Sequence, residues 1–294
     1  MKVGLCQVDG KMPNLALMKL SAWHKAQGNE VAWFSPLEVF DRVYASKVFD
    51  FTADNAYLSP SAIRGGTGYD LTTNLPPEVE AMCPDYTLYP KMDYALGFTT
   101  RGCVRRCPFC VVPRKEGALR VVGDLDTFWA GQRQVVLLDN NLTAAPMEHW
   151  RRIVGQLTSR RLVADFTQGL DARLLTEEHA ADLARIRTAK RIHFAWDSPA
   201  DEPAVRRAVE LLRRRLPLGR LTFYVLIGFD TTPAEDLYRV ETLRGLGVDS
   251  FVMPYQKADT YQRAFTRWVN HKAIFKTVPW ERYAGRPRAV EVER

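Results

Sequence analysis

From Tyr94 onward, short apolar runs are centred near Gly97, Val136, Val163, Phe194, Val225 and Val252, each after the second recurring about 30 residues on. Between them, stretches such as 147–157, 177–186, 204–216 and 234–246 read as helices. A chain that alternates strand and helix at this period builds βαβ units, whose right-handed crossovers lay the strands side by side in parallel. The expectation is an α/β fold: a partial (β/α)6 barrel or a strongly curved open sheet, with function gathered at the carboxyl ends of the strands.

The first 90 residues predict a smaller, Rossmann-like α/β domain ahead of that pattern. Val3 to Val8 reads as a strand. Pro13 and Asn14 open a helix with apolar positions Leu15, Leu17, Met18, Leu20 and Trp23, Gly28 ends it, and Val31 to Phe34 and Val43 to Ala45 follow as strands. The Pro-, Gly-, Thr- and Tyr-rich stretch from Ser59 to Pro90 has loop chemistry and marks the junction. The expected division is therefore 1–90, then the barrel at 91–256, then a tail at 257–294 of mixed aromatic and basic residues. That tail suits either a final helix packing on the barrel or a surface that stacks bases and meets phosphates.

Among the 294 residues, 46% are hydrophobic and 26% charged, and no run approaches the length of apolar chain needed to cross a membrane. Met1 to Cys6 reads as a first strand and not as a signal peptide. The net charge of +7 favours an anionic substrate or nucleic acid over a membrane, although Arg206-Arg207 and Arg213-Arg214-Arg215 suit a solvated helix face. Five cysteines, an odd and clustered set, argue for a reducing, cytoplasmic setting and against a disulfide framework.

Three of those cysteines, Cys103, Cys107 and Cys110, form a C-x3-C-x2-C set between the first barrel strand and its helix. Three thiolates so spaced can hold one corner of a [4Fe–4S] cluster and leave a fourth iron open to a small molecule. A structural zinc site wants four ligands, and the next histidine is His149. A thioredoxin-like pair would use two cysteines. Cys6 and Cys83 are too far apart and too few for an auxiliary cluster, which disfavours sulfur-inserting chemistry.

The motif resembles that of the radical S-adenosylmethionine (SAM) superfamily, in which an aromatic residue commonly precedes the third cysteine, as Phe109 does. GCVRRCPFCVVPRKEG from Gly102, PNLALMKLSAWHKAQGNEV from Pro13, VYASKVF from Val43 and GGTGYD from Gly65 are similar to the branch with a cobalamin-binding-type domain before the barrel. The resemblance implies that the open iron chelates SAM. One electron from a donor such as flavodoxin or ferredoxin then gives methionine and a 5′-deoxyadenosyl radical, which abstracts hydrogen from the substrate. The cofactor carries that chemistry while the protein orients and shields it.

It also implies where SAM contacts should lie. Asp139-Asn140-Asn141 stands where the family has a glycine-rich segment for the SAM amino group. Gln168, Asp171 and Arg173 follow the third strand, with Arg173 suited to a bidentate pairing with the SAM carboxylate. Asp197 follows the fourth strand and could accept from a ribose hydroxyl. Gly228 follows the fifth, beside the adenine edge, and Tyr255 at the end of the last strand is the candidate catalytic residue. Each of these also fits a plain strand cap. Cobalamin stays open: the cobalt-ligating D-x-H-x-x-G motif is absent, since Gly10 and Lys11 follow Asp9, while Gly65 to Gly68 could cradle a phosphate. The rivals are a zinc-bearing nucleic-acid-binding module without catalysis and a cluster used only for electron transfer.

Overall fold

The structure is a computed structural model, and it describes residues 1–285. The rest of the expected tail lies outside the described residues. The chain divides into two compact units, one of Met1–Asn140 with Arg151–Val163, the other of Asn141–Trp150 with the chain from Ala164 on.

Unit 1 opens with β1 (Lys2–Gln7), α1 (Leu15–Ala26), β2 (Glu30–Trp33), β3 (Arg42–Ser46) and β4 (Ile63–Gly65). The four strands form one sheet in the order β2-β1-β3-β4, every neighbouring pair parallel, with Val3 opposite Val31, Leu5 opposite Tyr44 and Ser46 opposite Gly65. That is the order of doubly wound sheets whose sequence of strands reverses between β1 and β3, the place where such folds take ligands. Asn14 caps α1 by accepting from the Leu17 N–H at 3.2 Å, which satisfies one of the orphan donors of the first turn. The helix buries Leu17, Met18 and Leu20 against Val3 and Leu5 of β1, together with Val79 and Leu88. Each such side chain contributes about 1.5–3 kcal/mol through removal from water.

Further on come α2 (Pro77–Glu80), β5 (Tyr94–Gly97), β6 (Thr100–Arg101), α3 (Val112–Lys115), β7 (Arg120–Val121) and β8 (Gln134–Leu137). β5 and β8 pair in parallel, Gly97 opposite Leu137, while β6 and β7 pair antiparallel, Thr100 opposite Val121. Next is α4 (Met147–Ser159). Its later turns belong to unit 1, where the Gln156 amide oxygen accepts from the Leu125 N–H at 3.1 Å and Arg160 lies over the Trp129 ring at 4.6 Å.

The alternation continues with β9 (Val163–Phe166), which enters unit 2 at Ala164, and then within unit 2 with α5 (Glu177–Arg185), β10 (Arg187–Thr188), β11 (Ile192–Ala195), α6 (Glu202–Arg213), β12 (Leu221–Ile227), α7 (Pro233–Gly245), β13 (Asp249–Pro254), α8 (Thr260–Asn270) and α9 (Lys272–Thr277). β11, β12 and β13 form a parallel sheet, with Phe194 opposite Phe223 and Val225 opposite Val252. Its two faces differ. Phe194, Phe223, Val225 and Val252 are buried, whereas Phe251, Met253 and Tyr255 are exposed, as the period-two alternation of a strand requires. The α/β class and the parallel pairing expected from the apolar period are thus present.

Four aromatic residues of α8 and beyond, Phe265, Trp268, Phe275 and Trp280, go inward. Phe265 meets Trp280 at 5.1 Å, Trp268 meets Phe275 at 4.9 Å, and the Trp268 indole N–H donates to the Val278 carbonyl at 2.8 Å. Phe265, Trp268, Phe275 and Trp280 thus fill a core, whereas Tyr261 and Tyr283 are half-buried.

Candidate functional site: the cysteine loop and the strand ends

In unit 1, residues 102–119 form a loop whose two ends are tied together by the β6–β7 pairing and by the Cys103 N–H donating to the Gly117 carbonyl at 3.2 Å. Gly102 turns the chain into it at a φ of +81°, and a Cβ there would stand 2.3 Å from the Ala118 carbonyl oxygen, so only glycine fits. Within the loop the Arg105 N–H donates to the Cys103 Sγ at 3.3 Å, and the Cys110 N–H donates to the Cys107 carbonyl at 3.0 Å. Cys103, Cys107, Phe109 and Cys110 are all half-buried, and none of the five cysteines forms a disulfide.

The base of this loop is clamped from the strand that follows it. Asp139, 4% exposed just beyond β8, accepts from the Thr99 hydroxyl at 2.6 Å, the Thr100 hydroxyl at 2.7 Å, the Thr100 N–H at 2.5 Å and the Thr99 N–H at 3.2 Å. Burial pushes its carboxyl pKa up, and the threonine donors offset this only in part. The Asn140 side-chain oxygen accepts from the Gly102 N–H at 2.9 Å. Asp139 and Asn140 therefore hold the peptide that leads into the cysteines.

Thr99 and Thr100 complete the clamp, and the sequence pattern does not single them out as partners of an acid 40 residues on. Arg101 was missed as well. Its guanidinium donates to Glu116 at 3.0 Å and to Glu80 at 2.9 Å and lies over the Phe98 ring at 4.0 Å, which brackets the loop from both sides.

Unit 2 gathers a second set. Asp171, buried beyond β9, caps a short helical turn. Its carboxylate accepts from the Arg173 Nε at 2.7 Å and Nη2 at 3.1 Å, and from the Asn141 amide at 3.2 Å. Arg173 also donates to Asp201 at 3.2 Å. Asp197, after β11, accepts from the Leu226 N–H at 3.1 Å. Burial pushes its carboxyl pKa up, with Leu226 and the charges of Arg239 and Arg173 pulling the other way.

These strand ends rest on a buried pair. Arg239 and Asp236, both fully buried, meet at 2.7 Å, and Arg239 donates to the Trp196 carbonyl at 2.8 Å and the Leu226 carbonyl at 2.9 Å. The extra hydrogen bonds are what make such a buried pair tolerable. Gly228 donates to the Thr231 hydroxyl at 3.4 Å. Tyr255 is exposed, edge-on to Phe229 at 4.9 Å, and Gln168 is exposed. Cys103, Cys107, Phe109, Cys110, Asp139 and Asn140 thus stand in unit 1, and Asn141, Gln168, Asp171, Arg173, Asp197, Gly228 and Tyr255 in unit 2.

Among the described residues, no three His, Cys, Asp or Glu side chains lie close enough together to hold a metal ion. Residues 103–115 offer three thiols with no acid or histidine between them, and Arg105, Arg106, Arg114 and Lys115 offset the negative charge of thiolate ligands.

At the edge of the unit 1 sheet the glycine turn and Asp9 contact the chain's own backbone. Gly66 and Gly68 pack on backbone, where a Cβ would meet the Lys47 carbonyl oxygen at 2.4 Å and the Phe49 carbonyl oxygen at 2.7 Å. The Asp9 carboxylate accepts from the Val48 and Phe49 N–H groups at 2.7 and 2.9 Å. The glycine turn is filled by the chain itself, and Lys11 stands where the cobalt-ligating histidine would.

No protein-family model matches the chain, and no curated protein matches it in sequence.

Proposed function

We propose that this chain is a cytoplasmic radical SAM enzyme with a partial (β/α)6 barrel over residues 91–256, in which Cys103, Cys107 and Cys110 hold a [4Fe–4S] cluster. What supports the reading is the cysteine loop: three thiols in the C-x3-C-x2-C spacing, closed at its neck and clamped by Asp139 and Asn140 at the carboxyl end of a parallel strand. When bound, a cluster with one open iron supplies the electron for reductive cleavage of SAM.

The chain's own residues do the positioning. Asp139 and Asn140 fix the peptide from Thr99 to Gly102, the neck from which the loop carries its thiols. Phe109 precedes the third cysteine and is half-buried with it. In unit 2, Asp171 holds the Arg173 guanidinium in a fork and Asp201 takes its Nη1, so a SAM carboxylate would reach Arg173 by displacing one of these two acids, and Asp197 stands at the end of its strand for a hydroxyl. Tyr255, exposed on the open face of its sheet, faces the substrate, with an electron donor such as flavodoxin or ferredoxin as partner. No described helix is long and apolar enough to cross a membrane.

The test is anaerobic reconstitution with iron and sulfide. A brown protein that, once reduced, turns SAM into 5′-deoxyadenosine is expected, with Cys107→Ala abolishing both. A colourless zinc protein, or 5′-deoxyadenosine still formed by Cys107→Ala, would overturn the proposal.

A further inference from the structure

A second region of unit 1 is built like a ligand site and takes no part in the chemistry above. At the carboxyl ends of β1 and β2 lies an open cavity of about 480 Å³, bordered by Lys11, Pro13, Trp33, Tyr89, Lys91 and Met92. Its size falls in the range of small-molecule sites. It also adjoins the first turn of α1, which itself carries no acidic residue to offset the positive end of the helix dipole.

Two kinds of wall meet in it. Trp33, 41% exposed at the end of β2, stands at about a right angle to Tyr89 with ring centroids 5.3 Å apart and lines the cavity. Lys11 and Lys91 are exposed, and among the described residues neither makes an ion pair or a side-chain hydrogen bond.

The frame that carries these groups is already fixed. The Gln7 amide donates to the carbonyls of Asp9, Gly10 and Met12 at 3.1, 3.0 and 3.0 Å, setting the turn that bears Lys11. The Tyr89 hydroxyl donates to the Gln7 side-chain oxygen at 2.6 Å and accepts from the Asn14 N–H at 3.0 Å. A preformed wall of this kind lowers the ordering cost of binding.

We propose that this cavity binds a mononucleotide-type ligand, a planar heteroaromatic ring carrying a phosphate. The ring stacks on Trp33 beside Tyr89 and Met92, and Lys11 and Lys91 take the phosphate. Aromatic faces and cations together recognise that pairing of ring and anion, and neither alone accounts for both walls.

Calorimetric titration of the full chain tests this with adenosine 5′-monophosphate, adenosine and inorganic phosphate as separate probes. Saturable binding of the monophosphate is expected, with adenosine and phosphate each weaker by about tenfold or more and the affinity falling with salt. Trp33→Ala should weaken binding by about fivefold or more through lost stacking. A Lys11→Ala/Lys91→Ala double variant should weaken it by about tenfold, while Cys107→Ala leaves it unchanged. All three altered cavity residues are exposed, so the variants fold. No saturable binding would overturn the proposal. Equal affinity for adenosine would do the same, as would affinity unchanged in both cavity variants, which would put the nucleotide elsewhere on the chain.

Discussion

Asp139 shows what one buried carboxylate can do for a loop it does not belong to. Isolated in the interior it would cost several kcal/mol, yet four donors from Thr99 and Thr100 surround it, and each hydrogen bond to a charged group contributes about 1.5–3 kcal/mol. Asp139→Ala strands those donors in a buried site. A loss of about 3 kcal/mol in urea unfolding is expected, together with loss of iron on reconstitution. Asp139→Asn, which keeps the shape, should lose about half as much stability.

Glu80 gives a pH signature. Burial pushes its carboxyl pKa up, but Arg101 and Lys19, the latter at 2.9 Å, more than offset this and leave it below the usual range. The folded pKa lies below the unfolded value near 4.3, so its stabilisation is full above that pH and is lost as pH falls through the folded value. The difference in melting temperature between the wild type and Glu80→Gln should therefore be largest above about pH 5 and should shrink toward pH 3.

At the scale of elements, the decisive piece is the neck of the cysteine loop. Gly102→Ala forces a side chain into the left-handed region and against the Ala118 carbonyl, a strain of about 1–3 kcal/mol. The expected outcome is a protein that unfolds at lower urea and loads substoichiometric iron, with β1 to β4 still showing protected amides by hydrogen exchange.

Most other elements were legible because their signals are local. Gly28, with φ at +74°, ends α1 two residues after Ala26, and Pro233 after the capping Thr232 opens α7. By contrast, β4 lies within the stretch that reads as loop. It has three residues, none of them buried, and is a strand only because β3 offers it a partner. The strand-end residues follow the same rule. That Asp139, Asp171 and Asp197 terminate strands could be read from the apolar period. That Asp139 would clamp Thr99 and Thr100 could not, because that pairing forms only once distant strands lie side by side.

At the scale of the whole chain, the sequence order and the spatial order of the two units do not coincide. Residues 141–150 belong to unit 2, while Arg151–Val163 return to unit 1. The return segment has work there: Gln156 meets Leu125, Arg160 pairs with Asp126 at 2.6 Å, and the Val163 N–H donates to the Arg133 carbonyl at 3.0 Å. A fragment ending at Asn140 loses all of these. It should give poorly dispersed amide resonances and a broad thermal transition, whereas a fragment extended to Val163 should restore dispersion in the residues around Leu125. The interleaving also bears on heredity. A gene for this protein has no single point near its middle at which one unit could be exchanged for a foreign copy without tearing the other, so the two halves are bound to be inherited, and to diverge, together.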